Sequence, residues 1–334
     1  MPKLTSHAEP STADATPVRV VIVTMDTHLA SATERARSAL RRELPGLELE
    51  VHAASEWSDR PEALARCEAA IAAADIVIAT MLFMEDHFRP VLPALIARRE
   101  QCDAMVCAMS AGEVARLTRI GRFDMSAPPS GPMALLKRLR GNAGKGGSSS
   151  GERQMRMLRR LPKLLRFIPG TAQDVRAYFL TLQYWLAGSQ DNVANMVRFL
   201  IDRYADGPRA HLRGRMKPGA PFEYPEVGVY HPRIAQRIAE QVAALPTAPE
   251  ARGTVGVLLM RSYLLAGNAA HYDGVIAALE ARGLSVIPAF ATGLDARPAV
   301  ERFFIRDGRA VVDAVVSLTG FSLVGGPAYN DAKA

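Results

Sequence analysis

Residues whose side chains could do chemistry follow three predicted strands in the first third of the chain. In an open α/β sheet, ligands bind in the loops just beyond the carboxyl ends of the strands. Carboxylates and imidazoles placed there could transfer protons or bind a metal ion. Helix capping is the simpler interpretation, since Asp26 or Thr27, Asp86 and Ser110 are suitable N-cap residues. The candidates are Asp26 and His28 after the first of these strands, Glu85, Asp86 and His87 after the second, and Ser110 and Glu113 after the third.

These loops lack the spacing of a metal site or of a known catalytic motif. Glu85, Asp86 and His87 are adjacent at a predicted helix start, where neighbouring side chains rarely converge on one ion. The Gly-rich segment at 141–151 lacks both the leading strand and the GxxxxGK[ST] pattern of a phosphate loop. HExxH, GxGxxG and a Ser-His-Asp spacing are absent from the sequence as well. The residues alone predict no bound metal and leave the reaction open.

A second group of candidates follows predicted strands in the last third of the chain. His271, near the start of a predicted helix, could coordinate a metal or move a proton near neutral pH. A hydrogen bond between His271 and a neighbour at the helix start explains this residue equally well. The residues of this group are Arg261 and Tyr263, His271 and Tyr272, and Thr319 and Phe321.

The elements that must position these residues alternate between apolar strands and amphipathic helices. This alternation predicts a doubly wound, mostly parallel sheet with helices on both faces. The predicted strands of the first region begin at Val18, Leu47, Asp75 and Asp103, and its predicted helices cover 29–44, 61–73, 86–99 and 111–118.

The middle of the chain is predicted to be helical. Two segments, 174–186 and 191–204, place their apolar residues on one stripe, which indicates helix-to-helix packing. Tyr178, Tyr184 and Trp185 could instead stack on a flat ligand, although aromatic residues more often pack in a core. A further short helix is expected over 234–245.

The α/β pattern resumes at Thr254, with predicted strands from Thr254, Leu284 and Ala310. Three strands are few for an open sheet, so this second α/β domain is expected to be incomplete. The predicted organisation is a disordered N-terminus over 1–17, an N-terminal α/β domain over 18–140, a flexible linker over 141–152, a helical middle region over 153–250 and the incomplete domain over 251–334.

Composition restricts the class of protein. The hydrophobic fraction of 49% fits a globular chain, and no apolar run is long enough to span a membrane. The net charge of +7 is concentrated at 133–167, which holds ten Lys and Arg residues and one acid. No nucleic-acid-binding signature accompanies these charges, so we expect an exposed arm and no nucleic-acid partner. The N-terminus lacks a secretory signal, which favours the cytoplasm, and the three cysteines are expected to be buried free thiols.

Long strings of the sequence resemble the large subunit of magnesium chelatase. They are ATMLFMEDHF at 79–88, CDAMVCAMSAGEVARLTRIGRFDM at 102–125, GNAAHYDGVIAALEARGLSVIPAFATGLDARPAVERFF at 267–304 and VDAVVSLTGFSLVGGPAYNDA at 312–332. The large subunit of cobaltochelatase is a related family. The chain is similar to the N-terminal portion of these proteins, which continue well beyond its length.

The resemblance implies a part in the ATP-dependent insertion of Mg²⁺ into protoporphyrin IX, on the route to chlorophyll and bacteriochlorophyll. It implies two smaller AAA+-type partner subunits that hydrolyse ATP, and a large subunit that holds the porphyrin. Mg²⁺, ATP and protoporphyrin IX then belong to the complete complex, and the chain alone is expected to be inactive. The alternatives are a non-catalytic tetrapyrrole-binding or regulatory module and a cobaltochelatase fragment. The porphyrin-binding candidates are Arg261, Tyr263, His271, Tyr272, Thr319 and Phe321.

Overall fold

The computed structural model describes residues 15–127 and 161–325 of the chain. The chain divides into two compact units, Met1–Phe222 and Glu223–Ala334. The predicted flexible linker, the predicted disordered N-terminus up to residue 14 and most of the basic segment lie outside the described residues. Within the described ranges, no helix has both the length and the apolar character needed to cross a bilayer.

The first unit contains a six-stranded sheet with the order β2-β1-β3-β4-β5-β6. Its first four strands are parallel, and the last two add an antiparallel hairpin at one edge. This sheet confirms the α/β class predicted from the sequence. The strands are β1 (Val18–Thr24), β2 (Leu47–Ala53), β3 (Ile76–Thr80), β4 (Ala104–Ala108), β5 (Arg119–Ile120) and β6 (Phe123–Asp124), and the helices between them are α1 (Ala30–Leu40), α2 (Pro61–Ala73), α3 (Glu85–Phe88), α4 (Leu92–Arg98) and α5 (Gly112–Ala115).

The central strands are apolar because both of their faces are covered. In β1 only Arg19 is exposed, and every residue of β3 and β4 is buried. Helix α2 buries Ala63, Cys67 and Ile71, which are spaced four residues apart and therefore share one face of the helix. Polar residues are thereby confined to the ends of the strands, where a ligand could reach them.

Two helices predicted in this unit are wrong in extent. The helix predicted over 86–99 is two helices, α3 and α4, with Pro90 between them, because proline cannot donate the backbone hydrogen bond that a helix interior needs. The helix predicted over 111–118 ends at Ala115, and the β5–β6 hairpin follows it. Gly121, with a φ of 55°, forms the turn of that hairpin.

The two long helices predicted in the middle of the chain are confirmed as α6 (Thr171–Leu186) and α7 (Gln190–Tyr204). Ser189 starts α7, since its side-chain oxygen accepts the N–H of Asn192 at 3.3 Å. Tyr184 and Trp185 are both buried in the packing of this unit. They therefore pack as core residues and do not present an open stacking surface.

The second unit contains a five-stranded sheet with the order β13-β9-β10-β7-β8. The three strands predicted from Thr254 onward form its parallel part, and two antiparallel strands from the preceding segment extend it. The elements are β7 (Val227–Tyr230), β8 (Ile238–Ala239), β9 (Thr254–Met260), α8 (Arg261–Leu265), α9 (Ala270–Glu280), β10 (Ser285–Ala291), α10 (Arg297–Phe303), the small hairpin of β11 (Ile305–Arg306) and β12 (Arg309–Ala310), and β13 (Ala314–Ser317).

The helix predicted over 234–245 is wrong. Its apolar residues recur at helical spacing, but Ile238 pairs with Tyr230 across an antiparallel ladder, and residues 242–244 form a single 3-10 turn. Arg237 has a φ of 57°, a left-handed conformation that an α-helix does not contain. Pairing with the preceding strand has overridden the local pattern, and the helical middle predicted over 153–250 therefore contains strands that belong to the second sheet.

All three cysteines are buried free thiols, as predicted. Burial raises the pKa of Cys67 to about 12 and that of Cys102 to about 11, and it also raises the pKa of Cys107. Because the thiolate is the reactive form, none of the three should react with iodoacetamide at neutral pH in the folded chain, whereas all three should react in denaturant. Mass spectrometry of labelled peptides checks this, and fast labelling of the native chain would contradict the buried packing.

Candidate functional site

The parallel strands β9, β10 and β13 of the second unit end at one edge of their sheet, where Arg261 immediately follows β9. Arg261 is only 8% exposed, and its guanidinium donates to the carbonyl oxygens of Pro225 at 2.8 Å and Tyr224 at 3.1 Å. Thr292, after β10, donates its hydroxyl to the carbonyl oxygen of Glu226 at 3.0 Å. Arg261 therefore fastens the segment that enters β7 against the carboxyl edge of the sheet.

Three of the six candidates in this unit form one ring cluster, made of Tyr263, His271 and Tyr272. The ring centroids of His271 and Tyr272 are 3.8 Å apart, and Tyr263 lies edge-on to His271 at 5.6 Å. Tyr272 is buried, and its hydroxyl accepts the N–H of Met260 at 3.2 Å, while His271 is exposed. Burial raises the pKa of Tyr272, which keeps its hydroxyl protonated at neutral pH. The cluster is an anchored phenol that supports an exposed imidazole.

The last two candidates, Thr319 and Phe321, lie together in the turn after β13. The Thr319 hydroxyl oxygen accepts the N–H of Phe321 at 3.2 Å and lies 3.0 Å from the hydroxyl of Ser317. These hydrogen bonds hold the turn, and the Phe321 ring is half-buried. Chain topology therefore places this turn at the same sheet edge as Arg261.

In the first unit, Asp26 and His28 form a local pair after β1. The Asp26 carboxylate accepts the backbone N–H of His28 at 3.1 Å and also bonds the ring Nδ1 of His28. Burial raises the pKa of Asp26, but the hydrogen bonds and charge of His28 outweigh it, so this pKa lies below its usual value. The His28 ring also lies edge-on to Trp185, with 6.4 Å between centroids. Asp26 is therefore an ionised carboxylate tied to its own loop.

The helix caps predicted for this unit are wrong. Neither Asp26 nor Thr27 caps a helix, and Asp86 and Ser110 do not either. The observed N-cap positions are Leu29, Met84 and Ala111. The Ser110 hydroxyl instead accepts the N–H of Leu82 at 3.1 Å and donates to the carbonyl oxygen of Ala108 at 3.0 Å. It thereby ties the loop after β3 to the end of β4.

The remaining candidates of the first unit do not form a metal centre. Glu85 pairs with Arg89 one helical turn away at 3.0 Å, and Asp86 and Glu113 are exposed. Among the described residues, no group of three or more His, Cys, Asp or Glu side chains is arranged to hold a metal ion. His87 is half-buried, and its Nδ1 is buried without a hydrogen-bond partner.

Sequence reasoning passed over the residues at the strand ends themselves. Thr24 and Thr80 are the last residues of β1 and β3, and the hydroxyl of each is buried without a partner. Met81 follows β3 with a φ of 60°, and Met109 follows β4 with a φ of 47°. Residues other than glycine seldom adopt this left-handed backbone conformation. The sequence does contain a signal, because two apolar runs, VRVVIVT and IVIAT, each end in threonine.

Two family models together match most of the chain. Residues 19–179 match a family described only as a domain of unknown function, DUF3479. Residues 182–334 match the CobN/magnesium chelatase family. Their boundary at 179–182 falls inside α6.

Magnesium-chelatase subunits are similar to nearly the whole chain. The H subunit of magnesium chelatase from Cereibacter sphaeroides is 52% identical over 329 residues, which cover 98% of this chain and 27% of that protein. The chloroplastic ChlH subunit of magnesium chelatase from Oryza sativa subsp. indica is 32% identical over 94% of this chain and 23% of that protein. A solved structure, the catalytic subunit of cobaltochelatase from Mycobacterium tuberculosis, is 17% identical with a TM-score of 0.43, over 90% of this chain and 18% of that one. The chain spans about a quarter of the length of the magnesium-chelatase relatives, and its similarity to the CobN/magnesium chelatase family model lies in residues 182–334.

Proposed function

We propose that the chain acts as part of the porphyrin-binding large component of magnesium chelatase, in the ATP-dependent insertion of Mg²⁺ into protoporphyrin IX for chlorophyll or bacteriochlorophyll synthesis. The observation that carries the proposal is the 52% identity to a magnesium-chelatase H subunit over 98% of the chain. A second such protein, from Rhodobacter capsulatus, is 50% identical over 94% of the chain. The activity is that of a ligase that forms metal–nitrogen bonds, and we place it in the cytoplasm.

The partners in this proposal are two smaller AAA+-type subunits that hydrolyse ATP. The chain itself has no phosphate-loop pattern and covers about a quarter of its relatives. The purified chain should therefore neither hydrolyse ATP nor insert Mg²⁺ into protoporphyrin IX, even when both partner subunits are added. Mg-protoporphyrin fluorescence measures the insertion, and product formed by residues 1–334 in that mixture would contradict this division of roles.

The porphyrin contact is proposed at the carboxyl edge of the second sheet. A tetrapyrrole is a flat apolar disc with carboxylates at one edge, so it needs ring contacts and polar groups at its rim. The exposed His271 ring packs against the buried Tyr272 ring, and Phe321 contributes a half-buried ring in the turn after β13. Thr319 and Tyr263 supply hydroxyls, and Arg261 holds the backbone that borders the edge. We propose that these residues form one wall of the porphyrin site.

His271→Ala and Phe321→Ala should each weaken protoporphyrin binding. The first change removes the exposed imidazole, and the second removes a stacking ring. One wall alone gives weak binding, on the order of micromolar or poorer. Quenching of protoporphyrin fluorescence measures the affinity, and Phe167→Ala is the matched control because that ring is 83% exposed and lies in the other unit. Tight binding that neither change affects would contradict this assignment.

Two other functions make different predictions. A non-catalytic tetrapyrrole-binding or regulatory module would bind the porphyrin, and deletion of the matching segment from the Cereibacter sphaeroides relative would leave chelatase activity unchanged. A cobaltochelatase fragment would support insertion of Co²⁺ into a corrin precursor and would not support Mg²⁺ insertion. The names of the relatives that are about 50% identical favour magnesium.

A further inference from the structure

Five buried side-chain atoms lack a hydrogen-bond partner among the residues that the structure describes, and all five lie at the ends of β1 and β3 or in the helices that follow them. Two are the hydroxyls of Thr24 and Thr80, the last residues of these strands. Two more are the hydroxyls of Ser31 and Thr33 near the start of α1, and the fifth is Nδ1 of His87 in α3. Buried polar atoms are normally paired, so five exceptions confined to these two strand–helix connections require an explanation.

The five atoms flank the topological switch point of the sheet. The strand order β2-β1-β3 means that the chain leaves β1 toward one side and returns on the other, which opens a crevice between the carboxyl ends of β1 and β3. Val23 pairs with Ala79, so the next residues in the same register, Thr24 and Thr80, stand side by side on one face. Their exposed fractions are 0% and 1%. Two unpartnered hydroxyls thus form the floor of the crevice.

Helix α1 begins beside this crevice with the features of an anion site. The helix has 11 residues, no acidic residue in its first turn and no side-chain hydrogen bond at its N-cap, Leu29. The first N–H groups of a helix lack partners within it, and the helix dipole favours a negative charge there. In α1 the N–H of Ala30 donates to the carbonyl oxygen of Thr27 at 2.9 Å, so the N–H groups of Ser31 and Ala32 are the ones that an anion would meet. Ser31 and Thr33 add hydroxyl donors at the same end. Of the two nearest carboxylates in sequence, Asp26 is already bonded to the backbone and ring of His28, and Glu34 pairs with Arg37 at 2.8 Å.

The loop after β3 could open to give a ligand access to the five buried atoms, because it exposes large apolar side chains and begins with an unusual backbone conformation. Phe83 and Met84 are 55% and 53% exposed, although both are large apolar residues. Met81, at the base of the loop, has a left-handed backbone with a φ of 60°. Sparsely populated backbone conformations of this kind concentrate at ligand sites. The loop is therefore the segment that we expect to move when the crevice is occupied.

We propose that the crevice formed by Thr24, Ser31, Thr33, Thr80 and His87 binds an oxyanion, carried as the phosphate or carboxylate group of a small ligand. The hydroxyls and the N–H groups of Ser31 and Ala32 in the first turn of α1 donate to its oxygens, and a proton on His87 Nδ1 adds a further donor. The crevice lies in the unit that contains the domain of unknown function, and this inference does not depend on the proposed porphyrin contact in the other unit.

The test uses the whole chain, with sodium phosphate or sodium acetate added to a constant sodium chloride background. Concentrations stay below about 10 mM, which is too dilute for a general stabilisation by excluded salts. At a hundredfold excess over Kd, the anion should raise the Tm of the first unit by about 5–10 °C. Hydrogen exchange should slow in peptides that cover 24–33 and 80–87. A response to phosphate identifies a phosphoryl ligand, and a response to acetate identifies a carboxylate.

Valine variants separate binding from folding, since valine has the shape of threonine without the hydroxyl. Thr24→Val and Thr80→Val should abolish the anion response and, without anion, keep or raise the Tm because an unpartnered polar atom is removed. Thr118→Val is the matched control: this buried hydroxyl donates to the carbonyl oxygen of Cys107 at 2.9 Å and accepts its N–H at 3.0 Å. It should lower the Tm and retain the anion response.

Three results would overturn the proposal. The first is that neither anion changes the Tm or the exchange rates. The second is that the Thr24→Val and Thr80→Val chains respond to the anion as the unmodified chain does. The third is that these two variants lose as much stability as Thr118→Val, which would mean that their hydroxyls are already satisfied in the folded chain.

Discussion

Replacement of Asp174 by alanine should lower the free energy of unfolding of the first unit by about 3 kcal/mol, because it leaves more than one donor unpaired at a buried site. The Asp174 carboxylate accepts the hydroxyl of Tyr204 at 2.9 Å and the backbone N–H of Arg122 at 2.9 Å. Arg203 pairs with it at 3.3 Å. One side chain of α6 thus joins α7 to the β5–β6 hairpin.

Urea denaturation followed by tryptophan fluorescence measures this loss, because both tryptophans, Trp57 and Trp185, are buried in the first unit. Asp191→Ala is the control. Asp191 is an exposed residue in the first turn of α7, where its loss should cost no more than about 1 kcal/mol through the helix dipole. Equal effects of the two substitutions would show that the network around Asp174 contributes nothing specific.

Replacement of Gly256 by alanine should destabilise the second unit by about 1–3 kcal/mol, since it overpacks a filled core. A Cβ at Gly256, in β9, would lie 2.7 Å from two carbon atoms of the Phe304 ring. Phe304 is fully buried, and β9 is held between β10 and β13, so neither side can move away easily. The glycine is therefore required by the close approach of the ring and not by a turn.

Gly274→Ala is the same substitution with the opposite expected sign. Gly274 lies in α9 with no atom within 4 Å of an added Cβ, so alanine should stabilise that helix by about 0.5–1 kcal/mol. Hydrogen exchange of peptides from β9 and β10 measures both effects, because the tryptophan signal comes from the other unit. A neutral Gly256→Ala variant would mean that the Phe304 ring adapts at no cost.

Local patterns in the sequence predict a strand or a long helix well where the apolar residues of that element alone define its buried face. The run Val18–Thr24 and the helix Pro61–Ala73 have the predicted bounds, since continuous apolar residues and regular four-residue spacing leave little ambiguity. The pattern fails where pairing with another strand decides the structure. The segment 234–245 has helical spacing, yet Ile238 forms a strand because β7 offers it a free edge.

The candidate loops could be predicted because topology, and not side-chain detail, places them at the carboxyl edges of the sheets. The detail was out of reach, since it depends on contacts between distant segments. Nothing near Arg261 in sequence indicates that its guanidinium binds the carbonyl oxygens of Tyr224 and Pro225. The unpartnered hydroxyls of Thr24 and Thr80 likewise depend on the register between β1 and β3.

The most direct test of the central claim is a chelatase assay on a chimeric protein. The chain replaces the matching quarter of the magnesium-chelatase relative from Cereibacter sphaeroides, and the purified chimera is mixed with its partner subunits, ATP, Mg²⁺ and protoporphyrin IX. Because identity extends over 98% of the chain, we expect Mg-protoporphyrin to form at a rate within about tenfold of the parent, a difference of about 1.4 kcal/mol in the barrier. A chimera that folds and binds its partner subunits but forms no Mg-protoporphyrin would contradict the assignment of this chain to magnesium chelatase.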